Sequence, residues 1–269
     1  LIVPASRQPG TVATIGILHP GEMGAAVGAA LVDCGHEVVW ARAGRSSATR
    51  RRAEQAGLRA VDDVATLAGS CELILSICPP DAALAVARSL RGHAGIFVDA
   101  NAISPGTALG AAAAAGGRCA DGSIVGSPPS QAGTTRLYLS GAEAGAVAEL
   151  FAGARIEPRV LPGADPTAAS ALKMTYAAWT KGTSALLLAI DAAAQELGVS
   201  SELAAEWSMS QPELAARLSS ARAAADSKGW RWEGEMHQIA ATLLAAGQPG
   251  GFHEAAATIF GRSPRDPAV

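Results

Sequence analysis

The sequence predicts a doubly wound parallel α/β sheet followed by an all-α carboxy-terminal domain. Two observations carry this. Up to about residue 160, short β-branched runs alternate with Ala-rich helical runs, and Gly or Pro punctuates most boundaries. After Pro162-Gly163 the alternation stops and long Ala/Leu-rich helical runs take over. Strands separated by helices of this length are expected to pair in parallel, with helices covering both faces, as in a Rossmann-type domain. With 269 residues the chain can bury a substantial core. The division falls between residues 1–162, the alternating α/β domain, and 163–269, a helical domain.

Each element follows from local signals. Thr11–Leu18 is a β-rich run ending at His19-Pro20-Gly21, and Ala25–Cys34 reads as a helix stopped by Gly35. Strand Glu37–Trp40, helix Ala48–Ala56 and a short strand near Leu58–Ala60 follow. Asp62 or Asp63 can cap a helix over Val64–Ala68, and Leu73–Ile77 is a short apolar strand. Pro79-Pro80-Asp81 opens a helix over Asp81–Leu90. Ile96–Ala100, Pro105–Ala115 and Arg118–Ser123 read as strand, helix and strand; Arg136–Leu139 and Ala142–Phe151 continue the alternation, and Arg159–Val160 closes it. The second domain offers helical runs at Ala168–Leu197, Pro212–Ala225, Glu233–Ala246 and His253–Phe260, bounded by Gly229, Gly247 and Pro249-Gly250-Gly251. Leu1–Gly10 reads as a flexible, polar tail.

Composition excludes several classes of partner. Net charge is −3 and the one basic block is Arg50–Arg52, which argues against nucleic acid. No apolar run reaches the roughly 20 residues of a membrane span, and no signal peptide is visible. Cys34, Cys71, Cys78 and Cys119 lack metal-like spacing and read as reduced core thiols, so no metal and a cytoplasmic compartment are expected. Charged residues make up 17% of the chain, against a usual level of about 25%. Sparse charge on long apolar helices points to a homodimer built on the carboxy-terminal helices.

A parallel sheet binds ligands beyond the carboxyl ends of its strands. The first such turn reads His19-Pro20-Gly21-Glu22-Met23-Gly24, an imperfect dinucleotide fingerprint with His19 in place of the first glycine. Gly21 would let backbone approach a pyrophosphate, Gly24 would let the helix pack closely, and the helix start would supply N–H groups. The second strand runs into Trp40-Ala41-Arg42-Ala43-Gly44-Arg45-Ser46-Ser47, which lacks the carboxylate usual for NAD. Arg42, Arg45 and Ser46, with Arg50 one turn on, suit a 2′-phosphate and so NADP(H); a solvated arginine cluster is the plainer alternative.

Lysine occurs three times against 18 arginines, and two of the three, Lys173 and Lys181, fall on the run Ala168–Leu197. A buried ammonium can lose its proton near neutral pH and a guanidinium cannot, so a lysine here suggests proton transfer. Lys173, Tyr176, Ala177, Thr180 and Ser184 share one face at helical spacing, and Leu172, Trp179 and Leu186 form a separate apolar stripe. The polar stripe either lines a cavity or faces water. His237 and His253 have no partner at metal-like spacing and read as helix-surface or interface residues.

These features together resemble the β-hydroxyacid dehydrogenase superfamily, which includes 6-phosphogluconate dehydrogenase, 3-hydroxyisobutyrate dehydrogenase and the imine reductases. The resemblance covers nearly the whole chain. Its fingerprint turn spans His19, Pro20, Gly21, Glu22 and Met23; its cofactor loops match Cys78-Pro79-Pro80 and Asp99-Ala100-Asn101, which would set Asn101 near the nicotinamide. Its substrate loop corresponds to Asp121-Gly122-Ser123-Ile124-Val125-Gly126-Ser127, with Val125 where a carboxylate-binding serine is usual. That implies Ser123, Gly126 and Ser127 as substrate contacts, and Thr180 on the polar stripe beside Lys173 is a further candidate contact. The family's catalytic lysine matches Lys173, with Tyr176 where some members carry histidine and Ala177 in place of an asparagine. The implied activity is NADPH-dependent interconversion of an alcohol and a carbonyl in a small-molecule substrate. The alternatives are imine reduction on the same scaffold and a non-catalytic NADPH-binding protein.

Overall fold

A computed structural model describes residues 12–163 and 165–264; the tail Leu1–Gly10 and Ala164 lie outside them. The chain forms two compact units, Leu1–Lys173 and Met174–Val269.

In the first unit the order is β1 (Thr14–Ile17), α1 (Glu22–Asp33), β2 (Glu37–Ala41), α2 (Ser47–Gln55), β3 (Arg59–Val61), α3 (Val64–Ser70) and β4 (Leu73–Ser76). A 3₁₀ turn at Pro80–Ala82 leads into α4 (Ala83–Ser89), then β5 (Ile96–Asp99), α5 (Pro105–Ala115), β6 (Arg118–Val125), β7 (Thr135–Ser140), α6 (Ala144–Leu150) and β8 (Ile156–Val160). The α5 boundaries show how local chemistry sets an element. Ser104 accepts the Thr107 N–H at 3.2 Å, Pro105 supplies a preset φ at the first turn, and Gly116 leaves the helix at φ +71°.

The eight strands form one sheet in the order β3-β2-β1-β4-β5-β6-β7-β8. All neighbours pair in parallel except β6 and β7, which are antiparallel. The expectation of an all-parallel sheet is corrected at this one step. Only residues 126–134 separate the two strands and they contain no helix, whereas a parallel crossover needs a dozen or more residues. Each face of the sheet carries its own core. Ile15, Ile17, Leu73, Leu75 and Val98 pack with Val27 and Leu31 of α1 and Val147 of α6. Val39, Ile74 and Phe97 pack on the other face with Leu67 of α3, Ala87 of α4 and Ala111 of α5. The Val, Leu, Ile and Phe side chains among them contribute about 1.5–3 kcal/mol each when fully buried.

The second unit is helical. α7 (Ala168–Glu196) begins in the first unit and is followed by α8 (Ser200–Ser210), α9 (Leu214–Ala245) and α10 (Gly251–Phe260). Two expected helices, Pro212–Ala225 and Glu233–Ala246, are one continuous α9. Gly229 does not break it: the residue is buried, and a Cβ there would stand 2.4 Å from the Ser263 hydroxyl oxygen. Close packing accounts for this glycine, and one interior glycine costs only about 1 kcal/mol of helix propensity. The Trp179–Leu186 part of the apolar stripe on α7 is exposed, while Met174, Ala177 and Ala185 are buried.

Candidate functional site

The turn after β1 is shaped by two glycines with different duties. A Cβ on Gly24 would lie 2.3 Å from the His19 carbonyl oxygen, so α1 can start this close to the turn only without a side chain there. Gly21 is the residue before α1, and nothing lies within 4 Å of a Cβ built on it, which leaves that side of the turn open. His19 is mostly buried; burial, then the nearby Arg45 charge, lowers its pKa to about 4, so its ring is neutral at physiological pH. Its Nδ1 has no partner.

Two guanidinium groups reach back to this turn. Arg45 donates to the Leu18 carbonyl at 3.4 Å and keeps its Nε buried without a partner. Arg52 donates to the Pro20 carbonyl at 3.4 Å. Sequence reasoning did not single out Arg52; its position inside the basic block Arg50–Arg52 was the available signal. The other candidates have local duties. Arg42 pairs with Asp62 at 2.5 Å, Ser46 caps α2 by accepting the Thr49 N–H at 3.3 Å, and Arg50 donates to the Arg45 carbonyl at 3.3 Å. The open side at Gly21 and the α1 amino terminus fit the pyrophosphate of a dinucleotide.

At the carboxyl ends of β4 and β5, Asn101 is a brace. Its Oδ1 accepts the Cys78 N–H at 2.6 Å and its Nδ2 donates to the Ser76 hydroxyl at 3.1 Å, so the buried amide ties the two loops together. The Cys78 thiol is pushed up to about 11 by burial, which leaves it unreactive as a nucleophile.

The end of β6 meets the start of α7. Lys173 is half-buried and its Nζ donates to the Ile124 carbonyl at 2.7 Å. Asp121, also on β6, fastens the same helix: Oδ2 accepts the Ser170 N–H at 2.8 Å and Oδ1 accepts the Ser170 hydroxyl at 2.6 Å. The Ser140 hydroxyl oxygen accepts the Ala169 N–H at 3.0 Å. Two orphan N–H groups of the first turn are thus satisfied by β6 and β7. Ser123 is fully buried with its hydroxyl unpartnered, Ser127 is exposed, and Gly126 has φ +127° with the Thr134 carbonyl where a Cβ would go.

On the remainder of α7, Tyr176 is exposed, and the hydroxyl of Thr180 donates back to the Tyr176 carbonyl at 3.4 Å. Lys181 pairs with Glu235 and lies 5.3 Å from the Trp232 ring centroid, a structural arrangement that gives Glu235 a partner no sequence signal had supplied. His237 pairs with Glu254 on the surface, as expected of a surface histidine. His253 is instead buried, packing on Gly182 with Nε2 3.2 Å from the Ala178 carbonyl.

Residues 14–102 match the family described as NADP oxidoreductase, coenzyme F420-dependent, and residues 194–263 match a domain of unknown function. A conserved protein of unknown function, reported as structurally similar to 3-hydroxyacid dehydrogenases, is 29% identical with a TM-score of 0.67, covering 92% of this chain and 95% of its own. The chain has the 3-hydroxyacid dehydrogenase fold. Mycobacterium tuberculosis 3-hydroxyisobutyrate dehydrogenase, solved with L-serine, shares it at 19% identity and TM-score 0.65, covering 93% of each chain. So does a reductive aminase from Aspergillus terreus in complex with NADPH and ethyl levulinate, at 17% identity and TM-score 0.59, covering 94% of this chain and 93% of that one. No curated protein matches the chain. Together the matches describe a chain of the hydroxyacid dehydrogenase fold whose first part is similar to NADP oxidoreductases. No described helix is long and apolar enough to cross a membrane.

Proposed function

We propose that the chain is an NADPH-dependent oxidoreductase that interconverts an alcohol and a carbonyl in a small molecule, with Lys173 as the general acid/base. The observation that carries this reading is the anchoring of Lys173. Its ammonium donates to the Ile124 carbonyl at the end of β6, in the segment matching the family's substrate loop, on a helix start pinned by Asp121 and Ser140. A proton-transfer group needs such fixed placement at the edge of a ligand-binding strand end. When bound, the nicotinamide supplies or accepts the hydride. The protein's own residues do the rest: Gly21 and the α1 amino terminus seat the phosphates, and Arg45 favours the 2′-phosphate with Arg52 adding charge beside the same turn. Lys173 gives or takes the hydroxyl proton, and Tyr176 serves as a secondary donor. Four free thiols fit a reducing, cytoplasmic setting.

Imine reduction is the second reading, favoured by one observation. Val125 is buried and brings no hydroxyl to the position where the family's carboxylate-binding serine is usual. A panel of 3-hydroxy acids, aldehydes, ketones and cyclic imines, followed by NADPH and NADH absorbance, tests both. Turnover of a carbonyl or hydroxy acid with NADPH supports the first reading, turnover of imines alone replaces it with the second, and NADH preference removes the 2′-phosphate assignment.

A further inference from the structure

A cavity of about 340 Å³ lies beneath α5, bordered by none of the residues of the glycine-rich turn or the arginine cluster. Its floor belongs to a polar row that crosses the sheet. Ser76, Asp99, Asp121 and Ser140 are successive register partners on β4, β5, β6 and β7. Register partners project to the same face, here the face covered by α5. Asp99 and Asp121 line the cavity together with Phe97, Ala108, Leu109 and Ala112. Arg118 and Glu143 sit at its border, paired by two hydrogen bonds of 3.0 and 2.6 Å, so they offset one another.

The two carboxylates are satisfied differently. Asp121 has both oxygens occupied by donors from Ser170 and Ser140. Asp99 accepts the Asn101 N–H at 3.0 Å through Oδ1, while its Oδ2 is buried with no partner. Asp99 is 4% exposed. A buried carboxylate oxygen without a donor is unfavourable, and the space beside it is walled by apolar carbon.

We propose that this cavity is a binding site for a small organic ammonium: a primary amine on a short apolar chain, its N–H groups directed at Asp99 and its chain against Phe97, Leu109 and Ala112. A metal ion suits the site less well, because no group of three His, Cys, Asp or Glu side chains is assembled among the described residues. The volume lies at the small end of ligand pockets. Asp99 and Asp121 also belong to the segments that match the family's cofactor and substrate loops, but the occupant is inferred from the cavity's own chemistry and does not rest on the oxidoreductase reading.

Isothermal titration of the full chain with n-butylammonium chloride and with n-butanol tests the proposal. The amine is expected to bind at one site with a Kd of about 1 mM, reasonable for five heavy atoms, and the alcohol at least about tenfold more weakly. Asp99→Asn should abolish the preference for the amine. Ala112→Met takes up space in the cavity while leaving both carboxylates in the chain, and should weaken the amine by about tenfold or more, which keeps the test valid should Asp99→Asn fail to fold. Absence of amine binding at about 100 times that Kd, equal affinity for amine and alcohol, or amine binding unchanged in Ala112→Met would overturn it.

Discussion

Arg45 and Arg52 reach the backbone of the first turn, whereas Arg42 and Ser46 are engaged elsewhere. Arg45→Ala should therefore weaken NADPH by about 1.5–3 kcal/mol, roughly 10- to 150-fold, and NADH far less. Fluorescence titration of both cofactors reads the difference, and an equal loss for the two would detach Arg45 from the 2′-phosphate. Arg45 was legible in the sequence because a strand end without an acid draws attention to its cations. Arg52 and the Arg42–Asp62 pair were not, because each depends on a partner 20 or more residues away that only the folded sheet brings near.

A second residue-scale consequence concerns the buried carboxylates. Burial, opposed by the Asn101 N–H and helped by the neighbouring Asp121 charge, raises Asp99 to about 7; burial, opposed by the hydrogen bonds from Ser170 and Ser140, raises Asp121 to about 6. Both folded values exceed the ordinary 3.8, so the folded chain retains protons that the unfolded chain has released. Stability from this source is highest below the unfolded value and falls as pH rises, from about 4 to 6 for Asp121 and from about 4 to 7 for Asp99, by up to roughly 1.4 kcal/mol per pH unit for each group. Scanning calorimetry should show a higher Tm near pH 5.5 than near pH 8. Asp99→Asn should flatten that slope, and an unchanged slope would clear Asp99 of responsibility.

At the scale of elements, the start of α7 depends on residues from β6 and β7. Asp121→Ala removes the acceptor for the Ser170 N–H and hydroxyl together, and should cost about 2–4 kcal/mol in urea unfolding. A loss under about 0.5 kcal/mol, the usual scale of a plain surface change, would contradict the capping role. Helix and strand existence in the first unit was legible, since caps such as Ser104 and stops such as Gly116 act locally. The antiparallel step to β7 was missed because a loop without a helix was read as part of the alternation. α8 was missed because it has no buried residue and so leaves no amphipathic stripe to read. Gly229 misled for the opposite reason: its cause, Ser263, is 34 positions away, and only tertiary packing reveals it.

For the whole molecule, the second unit leaves large apolar side chains uncovered: Trp179 is 66% exposed, and Leu186, Ile190 and Leu244 are also exposed. Patches of this kind on a chain with few charges mark an interface. We expect a homodimer in light scattering at micromolar concentration, and Trp179→Glu should shift it towards monomer; a wild-type monomer would remove the dimer from the account. Oxidoreductase chemistry was the part of the function most legible from sequence, because the fingerprint turn and the strand–helix alternation are local patterns. The candidate site was only partly so. The sequence named Lys173 yet offered no sign of the Ile124 carbonyl that holds it, 49 residues earlier in the chain.

The most direct test of that reading is single-turnover reduction by wild type and Lys173→Ala, saturated with NADPH, on the best carbonyl substrate the panel finds. Loss of the general acid should slow the chemical step by about 10²–10⁴ while leaving NADPH affinity nearly unchanged, and Lys173→Arg should restore little. A Lys173→Ala protein that reduces the carbonyl at the wild-type rate would contradict the account at its centre.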